Sequence, residues 1–417
     1  MIDYRERNIK KIVDYFVSGR KENSYDLTLG LELEHFVVDK KTKETVHFYG
    51  EKGIAQILER ISIYYDQVER FEDYIVGLGK DTIAISIEPA AQIEVSITPS
   101  SNILEIEKIY QKFLIEITPV LEEWGYCLIE SGYQPRTKVD EIPLIPKKRY
   151  QYMQQYFEMK NTNGKYMMKG TASTQVSIDY FSEKDFVEKY KAAYLLLPLL
   201  SLVTDNSPIF EGELYKNNLL RAKIWEEVDE ERVNIFKYLD ERELTFEAYA
   251  RFVYQVPLIF YEDEQKLIKT NQSAKEIYKN KEMDLKEMEH VLSMVFPDVR
   301  LKKYVEIRYA DSLPIEGVLS YLAFVKGLFV EMNSLNQWIE SLEIKDFEQQ
   351  TIGKYNIMEN GLEGIIYNRP VKELLNELFS LAKSNLIGDE KNHLERLERQ
   401  LINDKILFKN KELDKLL

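Results

Sequence analysis

Two glutamates alternate with two leucines in the segment GLELEHF, residues 30–36. Because successive side chains of a β-strand point to opposite faces, Glu32 and Glu34 share one face and the leucines take the other. Two neighbouring carboxylates are costly unless a positive group lies between them, and carboxylate oxygens are ligands that Mg²⁺ prefers. The segment therefore predicts a strand that presents paired carboxylates to a cation.

The same alternation returns in two further segments. In AAQIEVSI, Gln92 and Glu94 share a face and Glu88 lies just upstream, while in ASTQVSID, Gln175 shares a face with two serines. A sheet with one face on a core and the other in water also produces this pattern. A solvated face usually mixes lysine with its acids, however, and the polar faces here are rich in glutamate, which favours bound metal.

Cations that could bind phosphate occur near the segment FPDVRLKKYVEIR, which contains Arg300 and Lys302 and ends with Glu306 and Arg308 on one strand face. An arginine beside a metal-binding acid suits a phosphate or carboxylate ligand, because its planar guanidinium can form two parallel hydrogen bonds. A simple surface pair of glutamate and arginine is the plainer alternative. Arg221, in LLRAKIWEEVDEER, is a further candidate, with a structural charge as its alternative.

Divalent cations held on such a face would neutralise phosphate oxygens and orient a γ-phosphoryl group, so the pattern indicates Mg²⁺ and ATP. The predicted Mg²⁺ ligands are Glu32, Glu34, Glu88, Glu94 and Glu306. Glycine-rich phosphate loops are missing: GLGKDT (residues 77–82) lacks the GxxxxGK[ST] spacing and is interpreted as a turn before a strand. The four histidines do not suggest a zinc site, and no Ser-His-Asp or Cys-His pairing is supported.

Composition restricts the class of partner. The 417 residues carry a net charge of −15, which disfavours nucleic acid and anionic membranes, since both select basic surfaces. The longest apolar run, residues 192–203, is too short to span a bilayer. The one cysteine, Cys127, allows no disulfide within the chain and fits a reducing compartment. We therefore expect a cytoplasmic protein that binds small molecules, as a monomer or homodimer.

Early strands followed by many helices favour an α+β fold, in which an antiparallel sheet has a polar, metal-binding concave face and is backed and flanked by helices. No low-complexity linker or repeat divides the chain, so we expect one catalytic domain over residues 1–417, helical from about 315 to 417. The predicted strands are 27–38, 82–87, 91–97, 126–133, 172–179 and 303–309. The predicted helices are 4–18, 51–68, 102–123, 148–158, 184–204, 246–258, 284–295, 315–341, 370–384 and 388–415.

Taken together, these motifs resemble those of the plant-type glutamate–cysteine ligases, within the carboxylate–amine ligases that share the glutamine synthetase fold. The family motif G-x-E-x-E-x-F is matched by GLELEHF, and S-x-E-P-G-G-Q-x-E-x-S by SIEPAAQIEVS. The pattern R-x-x-I-W-x-x-x-D-x-x-R is matched by RAKIWEEVDEER, and F-P-E-V-R-L-K-x-Y-L-E-M-R is close to FPDVRLKKYVEIR. The motifs extend over about residues 27–315.

The resemblance implies ATP-dependent ligation of the γ-carboxylate of L-glutamate to the amine of L-cysteine, through a γ-glutamyl phosphate. It implies catalytic roles for Arg308 and Glu34, and nucleotide binding by Arg308, Arg300 and Lys302. The substrate-binding residues that it implies are Arg221, Trp225, Gln92, Gln175 and Thr171. Such a reaction needs no protein nucleophile, because the substrate's own carboxylate is phosphorylated, and catalysis is positioning and charge neutralisation.

Two departures from the plant pattern concern the acceptor amine more than the ATP chemistry. Ala90 and Ala91 replace two glycines, which stiffens a turn, and Gly170 stands where plant members have an arginine before the threonine. A ligase that uses another amine therefore remains an alternative. A phosphotransferase of the same fold acting on a guanidino group, and a non-catalytic binding protein on this scaffold, are further alternatives.

Overall fold

The structure, a computed structural model, describes residues 3–22, 27–237, 239–264, 266–344 and 346–416. Its helices are α1 (Arg5–Val17), α2 (Ile54–Ile61), α3 (Ile103–Trp124), α4 (Lys148–Lys160), α5 (Gly164–Gly170), α6 (Glu183–Val203), α7 (Leu220–Glu226), α8 (Glu230–Val233), α9 (Phe246–Gln255), α10 (Ala274–Ile277), α11 (Leu285–Ser293), α12 (Ile315–Phe329), α13 (Met332–Ser341), α14 (Glu348–Asn360), α15 (Val371–Ser384), α16 (Gly388–Glu398) and α17 (Phe408–Leu416). Its strands are β1 (Leu29–Asp39), β2 (Gln67–Phe71), β3 (Tyr74–Lys80), β4 (Ile83–Ile87), β5 (Ile93–Ser100), β6 (Tyr126–Ile129), β7 (Ser173–Ile178), β8 (Ile209–Phe210), β9 (Glu213–Leu214), β10 (Phe260–Asp263), β11 (Lys266–Lys269), β12 (Val299–Leu301), β13 (Val305–Asp311), β14 (Ile365–Ile366) and β15 (Arg369–Pro370). The predicted combination of helices with an antiparallel sheet is confirmed.

One sheet of nine strands positions the polar motifs. Its order is β12–β13–β7–β1–β5–β4–β3–β2, with β6 paired to the second half of β1, and its neighbouring strands are antiparallel. The register sets Glu32 opposite Gln175 of β7 and Glu34 opposite Glu94 of β5. Because β7 also pairs with β13, Glu306 comes to the same region. Strands that are far apart in the chain are therefore adjacent in the sheet.

The opposite face of the sheet is apolar and packs on helices that include α3 and α6. Leu31 and Leu33 of β1 are buried there, as their alternation with the glutamates predicts. Asn102 is the N-cap of α3, and its side-chain oxygen accepts a hydrogen bond from the backbone N–H of Leu104 at 2.9 Å. It ends at Gly125, which has a φ of +78° that glycine adopts without strain.

Two predictions in the first hundred residues are wrong. The helix expected over 51–68 ends at Ile61, apart from one short 3₁₀ turn, and the chain then enters β2. The turn expected over 77–82 is instead mainly strand β3. Strand β2 lies at the sheet edge with mostly exposed side chains, so it lacks the apolar alternation of a half-buried strand. Strand β3 was not predicted because it contains Gly77 and Gly79, and glycine is uncommon inside strands.

Two long helices predicted near the C-terminus are each divided. The helix expected over 315–341 becomes α12 and α13, because the side chain of Glu331 accepts a hydrogen bond from the backbone N–H of Ser334 at 2.9 Å and starts a new helix. The helix expected over 388–415 becomes α16 and α17, separated by a segment in which Lys405 has a φ of +59°. Helix α14 lies where no helix was predicted.

Within the part of the chain that the structure describes, the larger of two hydrophobic clusters extends from Ile9 in α1 to Phe408 in α17. A single domain over residues 1–417, helical from about 315, stays a prediction. Among the described residues, no helix is both long enough and apolar enough to cross a membrane.

Candidate active site

A cavity of about 300 Å³ opens on the polar face of the sheet. Most of the side chains that the sequence singled out line it, namely Glu32, Glu34, Glu88, Gln92, Glu94, Thr171, Gln175, Trp225, Arg300, Lys302 and Arg308. Glu306 and Arg221 lie behind this lining and are almost fully buried. The structure thus brings the predicted residues to one place, while their individual roles remain predictions.

Glu34 is the most firmly oriented carboxylate of the cavity. Its two oxygens accept hydrogen bonds from the backbone N–H of Ser173 at 2.8 Å, from the Ser173 hydroxyl at 2.9 Å and from Nε2 of Gln175 at 3.1 Å. The backbone carbonyl of Glu34 also accepts from the hydroxyl of Ser312 at 2.6 Å. The paired strands β1 and β7 therefore hold this side chain in one orientation.

Three neighbouring carboxylates lie in a strongly unfavourable environment for negative charge. Burial, followed by the charge of Glu34, raises the pKa of Glu88 to about 7. Burial, followed by the charge of Glu32, raises the pKa of Glu94 well above its usual range, and burial also raises the pKa of Glu32. Desolvated acids that repel one another are the condition that a bound cation relieves.

Glu306 has a different environment, although it was predicted to bind Mg²⁺ with the other glutamates. Its oxygens pair with Arg300 at 2.6 Å, Lys302 at 3.0 Å and Arg308 at 3.1 Å. Burial alone would raise the pKa of Glu306, but these three cations lower it far below its usual range. Its charge is already compensated, and Arg300 and Lys302, which were predicted to bind nucleotide, are directed at this carboxylate.

Arg308 links the cation cluster to the carboxylates. Its Nη1 donates to Oε1 of Gln175 at 2.5 Å as well as to Glu306, and Gln175 in turn donates to Glu34. The guanidinium lies 5.8 Å from the ring centroid of Trp225, which also receives the guanidinium of Arg221 at 5.2 Å. Both guanidinium groups thus lie within cation–π distance of the indole.

Arg221 was predicted to shape the substrate pocket together with Trp225. The structure places Trp225 in the cavity wall and Arg221 behind it, with 4% of the arginine exposed. Nε of Arg221 and Nε1 of Trp225 are buried donors without a hydrogen-bond partner among the described residues. Burial lowers the pKa of Arg221, opposed first by the charge of Asp311. Buried donors without partners are costly, so they indicate a group still to be bound.

Gln92 and Thr171 use their polar atoms to hold the backbone. Oε1 of Gln92 accepts from the N–H of Ala90 at 2.9 Å, and Nε2 donates to the carbonyl oxygens of Thr171 at 3.0 Å and Met168 at 3.3 Å. The hydroxyl of Thr171 donates to the carbonyl oxygen of Met167 at 2.7 Å. Both residues line the cavity, but these bonds favour a role in shaping its wall.

The two histidines nearest to these motifs take no part in the cavity lining. His35 lies on the opposite face of β1, where Nδ1 donates to the carbonyl oxygen of Ile93 at 3.1 Å and Nε2 accepts from the Tyr110 hydroxyl at 2.7 Å. Burial lowers the pKa of His35 to about 4. A neutral, fully hydrogen-bonded imidazole has a structural role here.

Comparison with known proteins identifies the family. The model of glutamate–cysteine ligase family 2 (GCS2) matches residues 28–401. The chain belongs to this family. The resemblance drawn from the motifs is therefore confirmed, and it extends about eighty residues beyond the last motif.

Plant glutamate–cysteine ligases are among the similar sequences. The chloroplastic enzyme of Medicago truncatula is 28% identical over 384 residues, which cover 90% of this chain and 75% of that enzyme. The chloroplastic enzyme of Arabidopsis thaliana is 27% identical over the same length, covering 73% of that enzyme. These matches include nearly the whole chain.

A solved structure supports the fold independently. The crystal structure of glutamate–cysteine ligase from Francisella tularensis in complex with AMP has a TM-score of 0.56 with this chain and covers 95% of it, or 85% of that protein. The two sequences are only 10% identical, so the likeness concerns the fold alone. It agrees with the fold class expected from the strand patterns.

The comparison contradicts the expected cytoplasmic location, because the plant members of the family that match this chain are named as chloroplastic enzymes. The expectation rested mainly on the single cysteine. A single cysteine indicates a reducing environment only, and it does not distinguish one reducing compartment from another. We therefore no longer assign the chain to the cytoplasm.

One further cation of the cavity was not among the predicted site residues. Arg149, at the first turn of α4, lines the cavity and is the main cation opposing the raised pKa of Glu88. Its proximity to Glu88 depends on how the segment before α4 meets the turn between β4 and β5, where the backbone N–H of Ile145 donates to the carbonyl oxygen of Pro89 at 3.0 Å. A linear motif does not reveal this contact.

The departures from the plant pattern also have a structural basis. Ala91 has a φ of +70°, the left-handed region where glycine is at ease and alanine is strained. A Cβ atom added to Gly170 would lie 2.4 Å from the ring of Tyr133, which itself donates a hydrogen bond to Glu211 at 2.6 Å. A larger side chain at position 170 thus requires Tyr133 to move.

Proposed function

We propose that this chain joins the γ-carboxylate of L-glutamate to the amine of L-cysteine, with conversion of ATP to ADP and phosphate. A γ-carboxylate oxygen attacks the γ-phosphorus of ATP, the bond from that phosphorus to the bridging oxygen breaks, and ADP leaves. The amine nitrogen then attacks the acyl carbon of γ-glutamyl phosphate and phosphate departs. The product is γ-glutamylcysteine, and the chain supplies no covalent nucleophile.

The observation that carries this proposal is the composition of one cavity in a member of the glutamate–cysteine ligase family. Four glutamates and three arginines line the same space of about 300 Å³. Transfer of a phosphoryl group to a carboxylate brings two anions together, so it requires cations between them and fixed acids to hold those cations. The cavity provides both kinds of group on rigid strands and on helix α4.

The donor set of the cavity fits Mg²⁺. Glu32, Glu88 and Glu94 have raised pKa values because they are buried close to other acids, and hard carboxylate oxygens suit this ion. Among the described residues, no three acidic, histidine or cysteine side chains converge closely enough to enclose a metal. Mg²⁺ usually keeps water and phosphate oxygens in its shell, so we propose that it binds together with ATP, where it would neutralise phosphate charge.

Glu34 and Arg308 act at the reacting groups in this proposal. Glu34 is held by Ser173 and Gln175, so its carboxylate keeps a constant position during turnover. Arg308 is oriented by Gln175 and Glu306, and its remaining N–H groups are available to a phosphate or to the γ-carboxylate. Glu306, with Arg300 and Lys302, then serves mainly to fix Arg308 and the positive wall of the cavity.

The acceptor amine has two candidates. Met153, Met167, Met168 and Phe296 form an apolar part of the lining, which suits the polarisable sulfur of cysteine. The environment of Gly170, with Tyr133 filling the space where plant members carry an arginine, favours a second candidate function, ligation of glutamate to a different amine. Both candidates use the same phosphoryl chemistry.

An assay of ADP release separates these candidates. We expect release to require Mg²⁺, L-glutamate and an amine together, with L-cysteine as the best member of a panel that includes L-serine, L-2-aminobutyrate and glycine. If cysteine gives no stimulation and another amine does, the second candidate replaces the first. If no amine stimulates release, the ligase proposal is wrong.

A further inference from the structure

The C-terminal helix α17 reaches the region that supports the active site. Lys409, near the start of this helix, is 5% exposed, and its backbone N–H donates to the carbonyl oxygen of Asp205 at 2.8 Å. Its ammonium group lies 3.9 Å from Oδ2 of Asp205. Residue 409 follows the last residue matched by the family model, residue 401, so this contact belongs to a part of the chain outside the family pattern.

Lys409 also binds the loop that precedes α7. Its ammonium group donates to the backbone carbonyl oxygens of Tyr215, at 3.4 Å, and Asn217. The ammonium thus donates to two carbonyl oxygens and forms a longer ion pair with one carboxylate. The lysine therefore ties this loop to Asp205.

Asp205 holds the residue at which α7 begins. Its Oδ2 accepts a hydrogen bond from the backbone N–H of Leu219 at 3.2 Å, and Leu219 has a φ of +58°. A left-handed conformation is unfavourable for leucine, so it persists only where the surroundings impose it. No side-chain cap starts α7, and the bond from Asp205 takes this place.

Helix α7 carries Trp225, which lines the cavity, and Arg221, which lies behind it. It has only seven residues, so a change in its first turn displaces the indole at its end. Burial raises the pKa of Asp205 to about 7 and the charge of Asp311 adds to the rise, whereas the charge of Lys409 opposes it. Loss of Lys409 would leave an unpaired buried acid at the origin of the helix.

We propose that Lys409 is a positioning residue for the ligation reaction: through Asp205 and the carbonyl oxygens of the preceding loop, it fixes the start of α7 and so the placement of Trp225 and Arg221 at the cavity. This proposal rests on the proposed function for its kinetic consequence. Its structural consequence, the placement of the indole, does not depend on any substrate.

The test uses the full-length chain with Trp225 as its only tryptophan, after Trp124 and Trp338 are replaced by phenylalanine. In this background, Lys409→Met is expected to shift the emission of Trp225 and to lower kcat/KM for the amino-acid substrates by about tenfold or more, with little change in the KM for ATP. The variant Asp205→Asn keeps an acceptor for Leu219 without the charge. The double variant Asp205→Asn/Lys409→Met should therefore recover part of both losses.

Lys189→Met is the matched control. Lys189 is similarly buried and lies outside the cavity lining, and its ammonium group donates to the carboxylate of Asp185 at 2.9 Å and to the carbonyl oxygen of Asp179 at 2.8 Å. We expect Lys189→Met to lower thermal stability without a shift in Trp225 emission or in the amino-acid KM. Equal kinetic losses in Lys409→Met and in the double variant, with unchanged emission, would overturn the proposal. If the parent protein shows no amine-dependent ADP release, the proposed function fails, and the emission of Trp225 still decides the positioning claim.

Discussion

Replacement of Glu34 by glutamine is expected to lower kcat by about 10³-fold while the protein stays folded. The amide keeps the shape of the side chain, and its oxygen can still accept a hydrogen bond from the backbone N–H of Ser173. The negative charge is lost, however, and the amide N–H₂ group opposes the donor of Gln175. The measurement is ADP release at saturating substrates, with circular dichroism and a thermal transition to confirm the fold.

Glu69 provides the matched control for this substitution. Glu69 of β2, Gly77, Ser86, Glu94 and Glu34 are successive register partners across the sheet, so Glu69 lies in the same row. It is exposed and does not line the cavity. Glu69→Gln should retain nearly the parent activity. If Glu34→Gln turns over at the parent rate, the carboxylate face has no part in phosphoryl transfer.

Replacement of Arg308 by lysine is expected to lower kcat/KM by about 10²- to 10³-fold, even though the positive charge is retained. The guanidinium contacts Gln175 and Glu306 through one nitrogen and keeps others for a ligand. A lysine ammonium cannot reach all of these groups from one position. Glu306 keeps Arg300 and Lys302 as partners, so the fold should survive.

Lys303→Met is a suitable comparison, because Lys303 is exposed beside β13 and lies outside the cavity lining. It removes a full charge from the same segment, and we expect less than a twofold change in kcat/KM. Activity of Arg308→Lys equal to that of the Lys303 variant would mean that Arg308 only balances Glu306.

The period-two patterns predicted the central part of the site from the sequence. Glu32, Glu34, Glu94 and Gln175 follow strict alternation in strands β1, β5 and β7, and one face of each strand is apolar, so the side that faces the cavity is fixed. The neighbour relations of these strands are known only from the structure. Alternation specifies a face and leaves the pairing partner open.

The environment of Glu306 could not be predicted in the same way. Arg300 lies opposite Glu306 in the register of β12 and β13, and a register between two short strands is not encoded in either strand alone. The sequence placed the acid among Mg²⁺ ligands, whereas the structure surrounds it with three cations. The roles of Arg149 and Lys409 were not predicted for a related reason. The position of each depends on packing between segments that are far apart in sequence.

The central claim is that the γ-carboxylate of glutamate attacks the γ-phosphate of ATP, and oxygen transfer tests it most directly. L-glutamate labelled with ¹⁸O in both γ-carboxylate oxygens would be incubated with the protein, Mg²⁺, ATP and the best amine, and the phosphate analysed by mass spectrometry. We expect one ¹⁸O atom in each phosphate released, because the bond from the acyl carbon to the transferred oxygen breaks in the second step. Phosphate that contains no oxygen from glutamate would contradict it.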